Sequence, residues 1–190
     1  MSELQQEQHP FLDFVKKNQK ALTYTIVAAI VLIGGFFGYT ELYQKPREAK
    51  AADAMFMAEK YFANDSSNYV LNGDGTSKGV LYIIKEFSGT KAANLAKYYA
   101  GVSYFRLNDF NKSIEYLKDF STNAKQIQAI AYGTMADAYA ELNKKDEAVT
   151  YYKKAGEYFP EDDAISSEYL FRAAYYLEIN GKNDEAIDLY

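Results

Sequence analysis

The sequence predicts an all-α protein in which one membrane-spanning helix is followed by a solenoid of helical hairpins. Two patterns support this fold class: residues 21–40 carry no charge, and a fixed spacing of small and aromatic residues recurs further along the chain. Only three Pro and 11 Gly occur in 190 residues, which favours long helices over a many-turned β fold. The 48% apolar and 25% charged residues are those of an ordinary globular protein, so wholesale disorder is excluded.

The predicted anchor is the charge-free stretch ALTYTIVAAIVLIGGFFGYT at residues 21–40. As a helix it would extend about 30 Å, which is the thickness of a bilayer hydrocarbon core. A cleaved signal peptide is the main alternative, but it has an apolar core of about 7–15 residues followed by small residues at the cleavage site. The following GYTELYQKP contains no such site, so we expect an uncleaved signal anchor.

The charges that flank the anchor suggest its orientation. Three basic residues lie just before it and three just after it, but the first group, Lys16, Lys17 and Lys20, is closer to the membrane. We expect residues 1–20 to be a cytoplasmic arm and residues 41–47 to be a juxtamembrane linker, followed by an exported C-terminal domain.

Within the anchor, Gly34 and Gly38 form a G-x-x-x-G pattern, with Gly35 beside them. Because glycine has no side chain, such a pattern lets a second membrane helix approach closely. We predict that these residues pack against another helix, which includes self-association into a homo-oligomer. The alternative is that glycine is simply common in membrane helices.

The chain behind Pro46 contains an internal repeat. When Gly101, Ala136 and Ala174 are taken as origins, 35 and 38 residues apart, the same residue types recur at fixed offsets. Small residues occupy the origin and offset +12, large apolar or aromatic residues occupy +3 and +16, and Asn or Gly occupies +7. Small residues let the two helices of a hairpin approach, and Asn or Gly suits a left-handed turn between them.

These patterns predict hairpins at residues 48–87, 94–122, 129–160 and 167–190. The first is degenerate, with helices at Glu48–Phe62 and Lys78–Phe87 and a long loop between them. Within that loop, Asn72-Gly73-Asp74-Gly75 is interpreted as a tight turn, because a calcium loop of the EF-hand type needs further oxygen ligands. The last hairpin is incomplete: Tyr190 is expected inside its second helix, so we expect further residues beyond it.

The repeat resembles the tetratricopeptide repeat (TPR), most clearly in ADAYAELNKKDEAVTYYKKAGEYFP (136–160) and AGVSYFRLNDFNKSIEYLKDF (100–120). Together with the anchor, the chain resembles the YfgM-like family of TPR proteins, which are ancillary subunits of the bacterial SecYEG translocon. The residues that carry this resemblance are LNGDGTSKGVLYIIKEFSGTKAANLAKYYAGVSYFRLNDF (71–110), through the LNGDG start and the T-K-A-x-N-L-A-x-Y-Y-A-G run at 90–101.

This resemblance implies a single-pass inner-membrane protein with a periplasmic TPR domain at residues 48–190 and no enzymatic activity. It implies translocon membrane subunits and a membrane-anchored peptidyl-prolyl isomerase-like chaperone as partners. Unfolded or extended segments of emerging polypeptides are further expected ligands of the TPR groove. A TPR scaffold or oligomerisation subunit of another cell-envelope assembly or secretion complex is the alternative.

The composition excludes several kinds of chemistry. There is no Cys and one His, His9, so thiol nucleophiles, disulfides and His-based or Cys-based transition-metal sites are excluded. The glycine-rich segment lacks the Lys-Ser/Thr pair of a phosphate-binding loop. Residues 120–190 hold 13 acidic and 7 basic residues, which would repel nucleic acid. We therefore predict no catalytic residue, no metal and no cofactor.

The first helix of each hairpin lines the concave face of such an array, so the groove can be assigned by offset. The predicted groove is aromatic at both ends and acidic in its centre, which favours basic or neutral peptides. Its residues are Leu95, Tyr98, Val102, Phe105, Arg106, Asp137, Glu141, Phe171, Tyr175 and Glu178. The alternative for each aromatic residue is that it packs between repeats.

Overall fold

The computed structural model describes residues 10–190, and every regular element in that range is helical. The all-α fold class is therefore confirmed. The chain divides into two compact units, Met1–Pro46 and Arg47–Tyr190. The start of the predicted cytoplasmic arm, including His9, lies outside the described residues.

The first unit contains α1 (Pro10–Lys17), α2 (Gln19–Tyr39) and a π-helical turn (Thr40–Gln44). Among the described residues, one helical segment, Gln19–Ala63, is long and apolar enough to cross a membrane. Its most apolar 18-residue window has a mean hydropathy of 2.0, and none of that window is buried. A helix that is apolar all round is normally buried in a protein core or in a membrane, so α2 is a candidate membrane span.

The second unit, all of whose residues are described, is built from helical hairpins. Its first group has three helices: α3 (Lys45–Ala63), which starts two residues before the boundary between the units, α4 (Ser67–Asn72) and α5 (Val80–Glu86). The first hairpin is α6 (Lys91–Arg106) with α7 (Phe110–Lys118), the second is α8 (Lys125–Glu141) with α9 (Lys145–Tyr158), and the third is α10 (Asp163–Ile179) with α11 (Asn183–Ile187). Contacts of α7 with α8 and of α9 with α10 join the hairpins in sequence, which makes the unit a solenoid.

The turns inside the three hairpins confirm the predicted left-handed residues. Asn108, Asn143 and Gly181, all at offset +7, have φ angles of 61°, 55° and 74°. In each turn the backbone N–H groups of this residue and of the next one donate to carbonyl oxygens of the preceding helix at 2.8–2.9 Å. This is the Schellman pattern that ends a helix, so offset +7 fixes the position of each chain reversal.

Small residues lie where the two helices of each hairpin cross. The six residues at the origin and at offset +12 are all buried: Gly101, Ser113, Ala136, Ala148, Ala174 and Ala186. The approach is tight at Gly101, where an added Cβ atom would lie 2.4 Å from Leu117 Cγ and 3.2 Å from the Ser113 carbonyl oxygen. The predicted role of small residues in close helix packing is confirmed.

Tyrosine pairs recur at offsets +3 and +15. The Tyr104 and Tyr116 rings stack with centroids 5.4 Å apart and an interplanar angle of 16°. Tyr139 and Tyr151 form the same pair in the second hairpin, at 5.3 Å and 22°. Offset +15 was not among the predicted positions, and its pairing with +3 accounts for part of the high tyrosine content.

The long loop expected before α5 contains a helix, α4, so this part of the prediction is wrong. Val70 and Leu71 of α4 are buried in a core formed with residues of α3, α5 and α6. Burying an aliphatic side chain contributes about 1.5–3 kcal/mol. The surrounding Asn, Asp, Ser and Gly residues favour turns, but this burial outweighs their local preference.

The tight turn predicted after α4 is confirmed, and Asp74 organises it. Asp74 Oδ1 accepts hydrogen bonds from the N–H groups of Thr76 (2.9 Å) and Ser77 (2.6 Å), and Oδ2 accepts one from the Tyr61 hydroxyl (2.6 Å). The Tyr61 hydroxyl and these backbone donors hold the pKa of Asp74 well below its usual range. Gly73 has a φ of 81°, and an added Cβ atom there would lie 2.0 Å from the Ser77 carbonyl oxygen, so the turn requires glycine.

Two charged residues at the start of α3 hold the ends of neighbouring helices. The Arg47 guanidinium donates to the carbonyl oxygens of Glu86 (2.7 Å) and Ser88 (2.9 Å) at the end of α5. The Glu48 carboxylate accepts hydrogen bonds from two backbone N–H groups at the start of α6, at 2.8 and 2.9 Å. Each charge has the sign that stabilises the helix end it contacts.

The second helix of the third hairpin, α11, ends at Ile187, whereas the sequence offsets place Tyr190 inside it. The Ala186 carbonyl oxygen accepts hydrogen bonds from the Leu189 N–H at 3.1 Å and from the Tyr190 N–H at 3.3 Å. The first bond tightens the last turn and the second keeps the helical i to i+4 spacing, so Tyr190 lies just after α11 and stays hydrogen-bonded to it.

Candidate partner-binding surface

The residues predicted to line a groove lie on α6, α8 and α10, the first helices of the three hairpins. The structure distributes them among the packed cores, an ion network between hairpins, and an exposed apolar surface. The groove as a single binding site stays a prediction.

On α6, two of the predicted aromatic residues pack inside the repeat array. The Tyr98 ring lies 5.4 Å from the Phe120 ring at the end of the first hairpin, and the Phe105 ring lies 5.6 Å from the Phe110 ring. Burial raises the pKa of Tyr98. Both residues are half-buried and pack against a core shared by the first and second hairpins, which corresponds to the alternative of packing between repeats.

The other three predicted residues on α6 are closer to the surface. Leu95 and Val102 are half-buried, and Leu95 also contacts the core that includes α3 and α5. Arg106 is exposed, with its guanidinium carbon 4.4 Å from the centre of the Phe62 ring and Nη1 3.0 Å from the Asp65 carboxylate. This cation–π contact and ion pair join α6 to the end of α3.

On α8, Asp137 belongs to an ion network that joins α8, α9 and α10. Its Oδ1 accepts hydrogen bonds from Arg172 Nη1 at 3.0 Å and from the Tyr152 hydroxyl. Arg172 Nη2 also donates to Glu168 at 2.6 Å. Glu141, one turn after Asp137, is exposed. The groove was predicted to be acidic at its centre. The structure instead places Arg172 there, where its positive charge compensates the negative charge of Asp137.

Burial and neighbouring charges shift the pKa values in this network. Burial raises the pKa of Tyr169 to about 12, and Asp137 adds to the shift. Burial and the hydrogen bond to Asp137 raise the pKa of Tyr152 well above its usual range. Burial disfavours the charged form of Arg172, but Asp137 and Glu168 outweigh it and raise that pKa. These groups keep one charge state around neutral pH, which suits a structural contact between helices better than acid–base catalysis.

The interface between the second and third hairpins uses Tyr169 and Tyr176, which the offsets did not select. An added Cβ atom on Gly133 would lie 2.2 Å from the Tyr169 ring, and the Tyr176 ring lies 5.6 Å from the Tyr152 ring, the aromatic residue at offset +16. Arg172 was missed as well, although it follows Asp137 by 35 residues, close to the 38 that separate the origins of these two hairpins. Opposite charges separated by one repeat are a usable sequence signal, since adjacent first helices lie side by side.

On α10, an apolar surface remains exposed. The exposed fractions are 59% for Phe171, 50% for Tyr175 and 44% for Ile179, and Tyr190 from the end of the hairpin is 62% exposed. The Tyr190 ring lies 5.6 Å from the Phe171 ring, and its hydroxyl donates to Glu178 at 3.2 Å. The structure thus brings the three predicted residues of α10 together with Tyr190 and Ile179.

The glycines of α2 are also exposed to an approaching helix. A Cβ atom added to Gly34, Gly35 or Gly38 would meet no atom within 4 Å. Their packing against another membrane helix stays a prediction.

Metal-binding groups are sparse in the part of the chain that the structure describes. No three His, Cys, Asp or Glu side chains among residues 10–190 are grouped closely enough to hold a metal ion. The side chains that do gather on the surface of the third hairpin are aromatic, aliphatic and carboxylate groups, which suit contacts with polypeptides.

A comparison with protein families matches residues 13–161 to the tetratricopeptide repeat-like domain. The match includes α2 and the first two hairpins. Domains of this kind generally act as non-catalytic scaffolds for protein–protein interaction. A comparison with curated proteins found no matching sequence. Since the matched residues make up well over half of its length, the chain belongs to the tetratricopeptide repeat-like domain family.

Proposed function

We propose that this protein is a non-enzymatic accessory protein of the Sec translocon, similar to the YfgM-like proteins, and that residues 21–40 hold it in the bacterial inner membrane. One observation carries the proposal: an exposed apolar helix, α2, precedes a TPR-like solenoid whose surface gathers aromatic side chains. In this proposal the anchor holds the protein in the membrane that contains the translocon, and the solenoid supplies surface for contacts with other polypeptides.

Residues 71–110 support the translocon assignment over a general scaffold. Their LNGDG segment forms the Asp74-centred turn, and the run at 90–101 forms the start of α6, whose N-terminus Glu48 holds. The resemblance to YfgM-like proteins therefore lies in residues with defined structural roles. In this proposal, the translocon membrane subunits contact α2, and a membrane-anchored peptidyl-prolyl isomerase-like chaperone or an emerging polypeptide contacts the TPR domain.

The proposed topology has residues 1–20 in the cytoplasm, a linker at 41–47 and the TPR domain, residues 48–190, in the periplasm. A reporter fused after Tyr190 tests it. Alkaline phosphatase, which becomes active only after export, should be active in this fusion, while a fluorescent protein that matures only in the cytoplasm should stay dark. The reverse result would overturn both the topology and the translocon role.

Purification of the tagged full-length protein from native membranes in a mild detergent tests the partners. We expect translocon subunits and a periplasmic chaperone among the co-purifying proteins. Tyr175→Ala should lower recovery of the chaperone, whereas Phe56→Ala, which removes an aromatic residue 68% exposed on α3, should not. Absence of both translocon subunits and periplasmic chaperones from the wild-type sample would refute the proposal.

A scaffold or oligomerisation subunit of another cell-envelope assembly is the second candidate, and the open glycine surface of α2 favours it. Gly34→Leu with Gly38→Leu separates the two. Loss of translocon subunits from the purified sample supports the first candidate. Loss of self-association, with translocon recovery unchanged, supports the second.

A further inference from the structure

Helix α1 carries apolar and basic side chains on different faces. Phe14 and Val15 follow Phe11 by three and four residues, so these three side chains share one face, here called the apolar face of α1. Phe11 and Phe14 are 73% and 59% exposed on it. Lys16 and Lys17 are rotated about 100° and 200° from Val15, which places them on other faces of the helix. A helix with Phe on one face and Lys on the other is typical of segments that lie in the plane of a membrane surface.

Asn18 separates α1 from α2. Its ψ angle is 16°, whereas residues of an α-helix have values near about −42°. The Asn18 N–H and the Asn18 side-chain amide both donate to the Phe14 carbonyl oxygen, at 3.0 and 2.9 Å. The last turn of α1 is thus closed by Asn18, and α1 is a helix with its own direction rather than the first turns of α2.

Three basic residues, Lys16, Lys17 and Lys20, lie where α1 joins α2 and are here called the lysine group. All three are exposed, and none of them forms an ion pair with a side chain that the structure describes. Residues 10–20 contain these three lysines and one aspartate, a net charge of +2. Positive charges beside an apolar face attract the headgroups of an anionic lipid leaflet. A second copy of the chain would bring an equal positive charge and is therefore a poorer match.

The length of the anchor indicates where α1 lies. The charge-free residues 21–40 already extend about 30 Å as a helix, so α1 is outside the hydrocarbon core when α2 spans a bilayer. Continuing α1 into that core would bury the lysine group in hydrocarbon, which is costly. Pointing α1 straight away from the bilayer would leave Phe14 and Phe11 in water, about 10–15 Å from the hydrocarbon. A helix along the bilayer surface gives the phenylalanines lipid contacts and keeps the lysine group among headgroups and water.

We propose that α1 binds an anionic lipid leaflet and lies along its surface at the start of the anchor. The apolar face of α1 enters the boundary between headgroups and acyl chains, and the lysine group contacts the phosphate groups of anionic phospholipids. Lysine side chains are long enough to hold their charge at the headgroups while the helix itself lies deeper. The inference rests on the proposed function in one respect, namely that α2 spans the membrane. In the proposed topology, the leaflet is the cytoplasmic one.

Because the sequence contains no Trp, single tryptophans can report the depth of each helix. Phe14→Trp places one on the apolar face of α1, and Ile30→Trp places one in the middle of α2. The full-length proteins are reconstituted in anionic vesicles whose acyl chains carry bromine, a tryptophan quencher, near the headgroup or near the methyl end. We expect headgroup-side bromine to quench Phe14→Trp more strongly, and methyl-end bromine to quench Ile30→Trp more strongly. Absence of quenching in Phe14→Trp, or stronger quenching of it by methyl-end bromine, would overturn the proposal.

The lipid composition tests the charge component. Vesicles of phosphatidylcholine alone are compared with vesicles that contain about one third phosphatidylglycerol and therefore have a negative surface. A net charge of +2 should raise the ratio of docked to undocked α1 about thirtyfold, since each basic charge near an anionic surface contributes about fivefold. Replacing the lysine group by glutamine should abolish this difference. Lys60→Gln with Lys85→Gln and Lys144→Gln, at three exposed lysines of the second unit, should retain it. Equal docking in the two kinds of vesicle, or equal effects of the two sets of substitutions, would contradict the proposal.

A substitution of Phe11 tests the apolar component. Phe11→Ser in the Phe14→Trp protein removes an apolar contact with lipid and should lower the ratio of docked to undocked α1 about tenfold. Phe171→Ser, at a residue 59% exposed in the third hairpin, should leave the ratio unchanged. An unchanged ratio after Phe11→Ser would refute the assignment of the apolar face to lipid. An emission shift of Phe14→Trp to shorter wavelength without quenching by bromine would refute it as well, because protein rather than lipid would then cover the apolar face.

The two tryptophan positions separate this inference from the proposed function. If Ile30→Trp is quenched and Phe14→Trp is not, the lipid-binding helix fails and the proposed anchor stands. If Phe14→Trp is quenched and Ile30→Trp is not, the proposed anchor fails and the lipid-binding helix stands. If both are quenched as expected but no translocon subunit co-purifies from native membranes, the translocon role fails while the lipid-binding helix stands.

Discussion

Replacing Gly101 with alanine should destabilise the protein, although alanine is the better helix former. In the middle of a helix this change ordinarily contributes about 0.5–1 kcal/mol of stability. Here the new Cβ atom would lie 2.4 Å from Leu117 Cγ and 2.8 Å from its Cδ2, and Leu117 is only 1% exposed. Overpacking of a buried site costs about 1–3 kcal/mol, so we expect a net loss of about 1 kcal/mol in the free energy of unfolding.

The effect of Gly101→Ala on the free energy of unfolding should change sign when the Leu117 side chain is removed. Leu117→Ala alone should lower the free energy of unfolding by about 3–5 kcal/mol, because it deletes a buried side chain and leaves a cavity. In that background the alanine methyl group at position 101 meets no leucine and partly fills the cavity, so Gly101→Ala should become stabilising by about 0.5–1 kcal/mol. The two substitutions are therefore coupled by about 2 kcal/mol.

Urea unfolding of the full-length protein in detergent, followed by circular dichroism at 222 nm, measures these differences. The detergent protects α2, so the cooperative transition reports on the second unit. The reasoning is refuted if Gly101→Ala stabilises the protein that retains Leu117, or if the losses of the two single variants simply add in the double variant.

Two other predictions concern charge. Burial raises the pKa of Tyr152 and Tyr169 in the folded protein. The two neutral hydroxyls therefore contribute fully to stability below about pH 10, the ordinary tyrosine pKa, and this contribution is lost as the pH rises through their raised pKa values. Tyr169→Phe should flatten the decline of the free energy of unfolding above pH 10 by up to about 1.4 kcal/mol per pH unit; superimposable slopes for the two proteins would contradict this. Glu48→Ala removes the acceptor for two N–H groups at the start of α6 and should lower stability by about 1 kcal/mol in the same urea assay, whereas the exposed Asp53→Ala should have little effect; equal losses would rule out a capping role.

Much of the solenoid could be predicted because its structure follows from local sequence rules. A left-handed turn residue is recognisable from its type, and Asn108, Asn143 and Gly181 recur at one offset. The small residues at the helix crossings are likewise set by a steric requirement that only a few side chains meet. For this reason the hairpins and their turns were accessible from one sequence.

The less predictable features depend on contacts between distant residues. Helix α4 forms because Val70 and Leu71 are buried by other helices, and no local pattern in an Asn-rich and Gly-rich segment indicates that burial. The offsets also identified Asp137 but not Arg172, because a pairing across two helices depends on the rotation of each helix about its axis. Consecutive side chains of a helix point in different directions, so a helix rotated by the equivalent of one residue exchanges the side chains that face a groove for those that face a neighbouring helix.

The way the hairpins are joined has a consequence for folding kinetics. The polar contacts between successive hairpins link residues close to one repeat apart: Asp137 with Arg172 (35 positions), and Lys125 with Glu161 and Asp146 with Lys182 (36 positions each). Chains whose contacts are short in sequence fold quickly, because little loop-closure entropy is lost before each contact forms. Each hairpin needs only the one before it as a template, so the helices nearest the anchor can reach their final packing while the third hairpin is still being synthesised.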